Sequence, residues 1–467
     1  MDDIFSLLSK SATGGEYASR GFGFQLAVWL QFIPQWLQYE GFTSCIREAI
    51  DDIEAKFWTP EHGFQKERIQ VKHQVLTQGT FDDLITVYQN AYQESPASYH
   101  WFSIVCTGIS AELQPVINGL RRFRDPYPFY ADDEAIMSQS YPEFEQRVGD
   151  AERAHFIFER VRVIVLSSGL EDLARGIVRT ALGDDFGITD NTVLDQSFQR
   201  LATLLQSRLN QVVSRMEIET AIGSYAQRDC VTMLTSTSEF SATEREDKPL
   251  IFDWHRFDGQ NLRQYPSVDV WDQEVVGRLR NTQVWLRASR GSRCIKLYGQ
   301  RRLSVAVAIG HVFSAASGFK IILDYRDQLW STEDHASPSS QSYEFQKEYS
   351  AQKSDRLVVS VSIAPQRIQQ AVETYVTTQT NQEVSFLHLW GTTAFIAPDQ
   401  VNLAVGLVKA YLISATSTIG VKHVDLFLAV PSPFALFLGH RLNATMPIQL
   451  YEWVGGTDYT PTCYLMP

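Results

Sequence analysis

The sequence predicts an α/β protein in two domains, and three observations carry that expectation. The chain has 467 residues, more than one hydrophobic core usually organises. Its C-terminal half alternates strand-like and helical runs: CIKLY (294–298) before LSVAVAIGHVFSAA, then FKIILDY (319–325), and LVVSVSI (357–363) before PQRIQQAVETYV. VSFLHLW (384–390), VNLAVGLVKAYLISA, VDLFLAV (424–430), PFALFLGHRL and IQLYEW (448–453) continue it. Such spacing builds a largely parallel sheet, here in two similar α/β halves. Between the halves of the chain, STSEFSATEREDKP (236–249) is polar and aperiodic, which puts one domain at 1–240 and the other at 241–467.

In the N-terminal domain, residues 17–39 are aromatic-rich and helical in pattern, with a kink or break expected at Pro34. RIQVKHQ (68–74) and WFSIVC (101–106) read as strands. From about 110 to 230, apolar residues recur at three and four, the mark of helices elaborating the first domain.

Composition narrows the function. The start, MDDIFSLLSK, lacks the basic region of a signal peptide, and no run approaches the roughly 18 apolar residues of a membrane span, so a cytoplasmic protein without membrane contact is expected. The five cysteines are far apart and odd in number, which predicts buried thiols rather than disulfides or zinc. Neither GxGxxG nor GxxxxGK[ST] occurs, against dinucleotide and P-loop chemistry. The net charge of −13 excludes indiscriminate nucleic-acid binding, so any DNA contact must be local and gated.

The sharpest constellation is REAIDDIEAKF (47–57) followed by RIQVKHQ. Strand alternation turns Gln70 and Lys72 to one face and Ile69 and Val71 to the other. An extended segment could bring Asp52, or its neighbour Asp51, together with Glu48 beside that pair. Carboxylate and amide oxygens suit Mg2+ or Mn2+, with Asp52, Gln70 and Glu48 as candidate ligands. Such a cation polarises a phosphate and activates water, and Lys72 can orient that water. Arg121, Arg122 and Arg124 form a basic cluster that could hold phosphates, while His73 is read as structural.

Acid, loop and strand with x-x-Lys resemble the PD-(D/E)xK endonucleases, and the surroundings resemble the branch found in bacterial antiviral effectors. The likeness rests on Gly14, Gly15, Gly21, Phe22, Phe24 and Gln25, then Glu48, Asp51, Asp52 and Ile53, then Gln70 and Lys72. It implies a restriction-endonuclease-like α/β core with a helical elaboration, and adds Gln25 to the catalytic candidates. Gln70 departs from the pattern, since an acid is usual there.

In the second domain the candidate residues lie at strand-to-helix junctions. Tyr298, Gln300, Arg301 and Arg302 lead into a helix; Trp330 and His335 follow a strand; Trp390 and Thr392 follow another; Ser432, Pro433 and Phe434 follow a third. Arginines grip phosphates and aromatics stack on bases. This half, above all HVDLFLAVPSPFALFLGHRL (423–442), resembles the SAVED domain, two fused Rossmann-like halves similar to CRISPR-associated sensors. Joined in this order, the halves resemble the nuclease effectors of CBASS antiviral systems. The resemblance implies a partner nucleotidyltransferase that makes a cyclic oligonucleotide, often a trinucleotide. Ligand binding would then drive self-association and cleavage of double-stranded DNA. A sensor with an inactive nuclease remnant is the alternative.

Overall fold

In the computed structural model, residues 23–467 are described except 125–132, 167–169, 224–228, 237–248, 260–262, 327, 336–342, 353, 364–366, 381–382, 396 and 443–445. Gly14, Gly15, Gly21 and Phe22 of the expected motif, and most of the polar run at 236–249, lie outside the described residues.

The first unit is built on a six-stranded sheet ordered β5-β4-β3-β2-β1-β6. Its strands are β1 (Phe42–Arg47), β2 (Ile53–Thr59), β3 (Gly63–Leu76), β4 (Tyr99–Ile109), β5 (Val161–Val165) and β6 (Val213–Ser214). β1, β2 and β3 form an antiparallel meander, and β3, β4 and β5 run parallel. One face packs on helix 23–38 through Val28, Trp29, Ile33 and Trp36. That helix runs through Pro34 without the expected break. Pro34 is itself buried, so packing carries the helix across the hydrogen bond that proline cannot donate. The other face packs on helices Gln78–Glu94, Gln114–Phe123 and Ala151–Arg160.

The predicted helical stretch is interrupted by β5. Its sequence, VRVIV, continues a helical pattern in apolar content, but its β-branched residues favour a strand beside β4.

The second unit holds two sheets. The first is ordered β11-β10-β9-β7-β8, from β7 (Cys230–Ser236), β8 (Leu250–Asp253), β9 (Cys294–Gly299), β10 (Lys320–Tyr325) and β11 (Gln328–Ser331). The second is ordered β12-β14-β13-β15-β16-β17, from β12 (Phe345–Ser350), β13 (Arg356–Ile363), β14 (Ser385–Gly391), β15 (His423–Ala429), β16 (Ile448–Gly455) and β17 (Asp458–Leu465). β10-β9-β7-β8 and β16-β15-β13-β14 are matching parallel arrays, each with an antiparallel edge strand in β11 or β17.

Two expectations change here. The chain divides between Arg228 and Asp229, not near 240. The segment Cys230–Ser236 pairs with β8 and β9, so its backbone hydrogen bonds belong to the second unit. Cys230 and Cys294, neighbours across β7 and β9, form a disulfide, whereas Cys45, Cys106 and Cys463 are buried thiols. Spacing in sequence misses a bridge created by strand pairing.

The two halves meet through helices Leu303–Val312 and Ser432–Arg441. A methyl group at Gly310 would come within 2.0 Å of the Leu436 carbonyl oxygen, and one at Gly439 within 2.1 Å of that of Val307. Each glycine lies three residues beyond the carbonyl that its counterpart approaches. Each also precedes a histidine that bonds a distant carbonyl at 2.8 Å: His311 with Met466 and His440 with Phe319. The halves are thus matched in detail as well as in strand order. Helix Pro398–Ile419 does reach the length and apolarity of a membrane span, contrary to expectation, but Val401, Ala404, Val405, Val408 and Leu412 bury one face of it.

Candidate functional sites

In the first unit, β2 begins at Ile53 opposite Ile69, so Asp52 falls beside Gln70 where β3 continues along β4 alone. The Asp52 carboxylate accepts the Val71 N–H at 2.6 Å, the Gln70 Nε2 hydrogen, and Gln25 Nε2 at 3.0 Å. Burial raises its pKa, opposed by the Val71 N–H and the Lys72 charge and reinforced by Glu48 and Asp51. Buried Ile69 and Val71 face the core under helix 23–38, leaving Gln70 and Lys72 partly exposed on the opposite face.

Asp51 does not join this group. Its carboxylate is ion-paired with Arg68, and both side chains are buried. Glu48 opens the turn in the left-handed conformation (φ 57°), which costs a non-glycine residue about 1–2 kcal/mol. Hydrogen bonds from Glu48 N to Asp52 O (2.8 Å) and from Ala49 N to Asp51 O (3.2 Å) close the turn. Glu48 Oε1 and Gln25 Oε1 are buried beside Asp52 without hydrogen-bond partners among the described residues.

Carboxylate and amide oxygens, the donor types found here, are those a hard divalent cation takes. Among the described residues no group of three His, Cys, Asp or Glu side chains is placed to hold a metal. A cation here would rest on the carboxylates of Asp52 and Glu48, helped by amide oxygens. Gln70 turns its amide nitrogen to Asp52, and a half-turn of that amide offers the oxygen instead.

The basic cluster separates. Arg121 and Arg122 are exposed at the end of their helix, but Arg124 is tied to the carbonyls of Phe158 and Val161. His73 packs its ring on Phe24 with centroids 4.7 Å apart.

In the second unit the adjacent arginines part company. Arg302 pairs with Asp258 at 3.0 Å. Among the described residues Arg301 has only neutral partners: the Ser432 hydroxyl (3.4 Å), the Thr235 hydroxyl (3.3 Å) and the Tyr298 carbonyl (3.4 Å). Burial without a carboxylate pulls its pKa down to about 10. The guanidinium therefore stays charged at neutral pH, joining the carboxyl ends of β7 and β9 to the start of the helix after β15. Crevices at such strand ends are where α/β sheets bind ligands.

Other candidates divide by burial. Trp330 and Phe434 are core residues, at 3% and 0% exposed; Trp330 packs on Tyr325, and Phe434 stacks on Phe395. Pro433 is buried with them. Gln300, His335 and Thr392 are exposed, and Trp390 is half-buried under the Arg367 guanidinium at 5.0 Å. Thr235 escaped the sequence reading because β7 was assigned to the other domain. Alternation in CVTMLTS, which buries Val231, Met233 and Thr235, was its available signal.

Residues 279–465 match the family model described as "SMODS-associated and fused to various effectors sensor domain", abbreviated SAVED. The likeness is to SAVED sensor domains. It extends beyond the SAVED region: the CD-NTase-associated protein 4 of Acinetobacter sp. (strain ATCC 27244 / 9458) is 27% identical over 467 residues, covering 98% of this chain and 99% of the relative. That of Moraxella osloensis is 26% identical over 472 residues, with the same coverage. The Acinetobacter baumannii Cap4 SAVED/CARF-domain containing receptor, solved with the cyclic trinucleotide 2'3'3'-cAAA, superposes with a TM-score of 0.81 at 24% identity. The match covers 95% of this chain and 98% of that one. The SAVED-like chain thus shares its mixed α/β, three-sheet fold with Cap4.

Proposed function

We propose that this chain is a cytoplasmic CBASS effector. A cyclic trinucleotide binds the SAVED unit, promotes self-association, and switches on Mg2+- or Mn2+-dependent cleavage of double-stranded DNA by a restriction-endonuclease-like first unit. The observation that carries the nuclease half is the gathering of Gln25, Gln70 and the Val71 N–H on the Asp52 carboxylate, beside a buried Glu48 oxygen that has no partner among the described residues. A bound cation would polarise the phosphate and acidify water. Asp52 and Glu48 would hold it, Gln25 and Gln70 would orient Asp52, and Lys72 would place a positive charge where the phosphate gains negative charge.

For the sensor half, Arg301 offers a charged guanidinium without an acidic partner among the described residues, and the Cap4 receptor of like fold was solved with a cyclic trinucleotide. A partner nucleotidyltransferase would supply the ligand, consistent with relatives named for association with a CD-NTase. Self-association would align several weak DNA-binding surfaces into one avid tract. Moving a switch from 1:99 to 99:1 takes about 5.5 kcal/mol of preference for the assembled state.

Plasmid degradation with Mg2+, with and without a panel of cyclic di- and trinucleotides, tests both halves. Cutting triggered by one trinucleotide supports the reading; ligand binding without cutting of DNA or RNA under either metal overturns its nuclease half. Gln70, with an amide nitrogen on Asp52 in place of a carboxylate, favours one rival, a sensor with an inactive nuclease remnant and a non-enzymatic output.

A further inference from the structure

Arg68, Gln70 and Lys72 alternate along one face of β3. The adjacent aspartates dock on the first two in order, Asp51 on Arg68 and Asp52 on Gln70. We infer that Arg68 is a positioning residue for the cation site: by taking Asp51, it fixes which aspartate of the pair faces Gln70 and Lys72. The inference rests on the nuclease reading above.

Three observations support it. Arg68 is immobilised, only 6% exposed, with its guanidinium 5.5 Å from the Tyr88 ring centre and 5.9 Å from that of Tyr99. It is therefore a fixed docking point. The rest of the turn is held from other sides, by the Glu48 and Ala49 backbone bonds and by Ile50 N donating to Glu54 Oε1 at 3.0 Å. The Arg68 pair supplies the side-chain tie at Asp51 itself. Finally, Asp51 and Asp52 are chemically identical and adjacent, so a local shift of one residue would exchange them. Without the guanidinium, a buried Asp51 carboxylate would compete with Asp52 for the same donors and cation.

A purely structural ion pair would affect stability alone, so the test measures Mn2+ binding separately from folding. Full-length wild type, Arg68→Met, Arg68→Lys and the double variant Arg68→Met/Asp51→Asn are titrated with Mn2+ alone by calorimetry, and each is melted. Arg68→Met should bind Mn2+ about 10–100-fold more weakly, the loss typical for partners that orient metal ligands. The double variant, in which Asp52 has no charged rival, should recover most of that affinity while its melting temperature stays low. Arg68→Lys, which keeps the charge but loses the planar fork, should fall between and carries the test if the Met variant does not fold. A folded Arg68 variant that binds Mn2+ like wild type overturns the inference, as does a double variant no tighter than Arg68→Met. Wild type that neither takes up Mn2+ nor cuts DNA overturns the nuclease reading and the inference with it.

Discussion

The two units assemble their candidate residues in opposite ways. In the first, Glu48, Asp52, Gln70 and Lys72 come from one short meander of three consecutive strands, and the Asp52 carboxylate gathers Gln25 and Gln70. In the second, Thr235, Arg301 and Ser432 come from three strand ends; Arg301 and Ser432 are 131 positions apart. The meander site is a matter of parity, and the crevice is a matter of topology. Parity survives in a sequence because alternation is local, whereas strand order is not written in any one segment.

If the contrast is sound, damage to one unit should leave the other's ligand or metal affinity intact. The largest expected effect is Lys72→Ala, which should lower ligand-triggered plasmid cleavage by at least about a hundredfold. Ligand affinity, measured by calorimetry, should be unchanged; weakened ligand binding in this variant would break the division of labour. Next, Arg301→Ala should cost about 1.5–3 kcal/mol of ligand binding, the worth of a charge-assisted hydrogen bond. Its Mn2+ affinity should match wild type.

Gly439→Ala drives a methyl group toward the Val307 carbonyl, and overpacking of this kind costs about 1–3 kcal/mol. Differential scanning calorimetry should show the loss in the second unit's transition, with the first unmoved. The smallest effect concerns His100, held down to about 3 chiefly by burial, with Arg162 and Arg160 adding to it. An unfolded imidazole titrates near 6.5, so the neutral ring's contribution is complete above that pH and is lost as pH falls toward 3. The first unit's melting temperature should fall between pH 7 and pH 5, and His100→Gln should flatten that slope.

Legibility followed the same division. The major strands of the second unit were readable as apolar runs, and Gln70 and Lys72 as one face of a strand. β5 was hidden because VRVIV continues a helical pattern in apolar content. Arg301 and Arg302 look alike in sequence, and only the fold shows that Asp258 occupies one of them. Trp330 and Phe434 illustrate the converse: a large aromatic beside a strand end satisfies a ligand pattern and a core pattern equally, and burial decides. The Cys230–Cys294 bridge depends on β7 lying beside β9, which no spacing rule encodes.

The glycine crossing of helices Leu303–Val312 and Ser432–Arg441 has a consequence for measurement. Backbone packed directly on backbone leaves no side chain to repack, so the two helix starts stand at a set separation, like the jaws of a fixed gauge. Movement of the loops beside them leaves that separation unchanged.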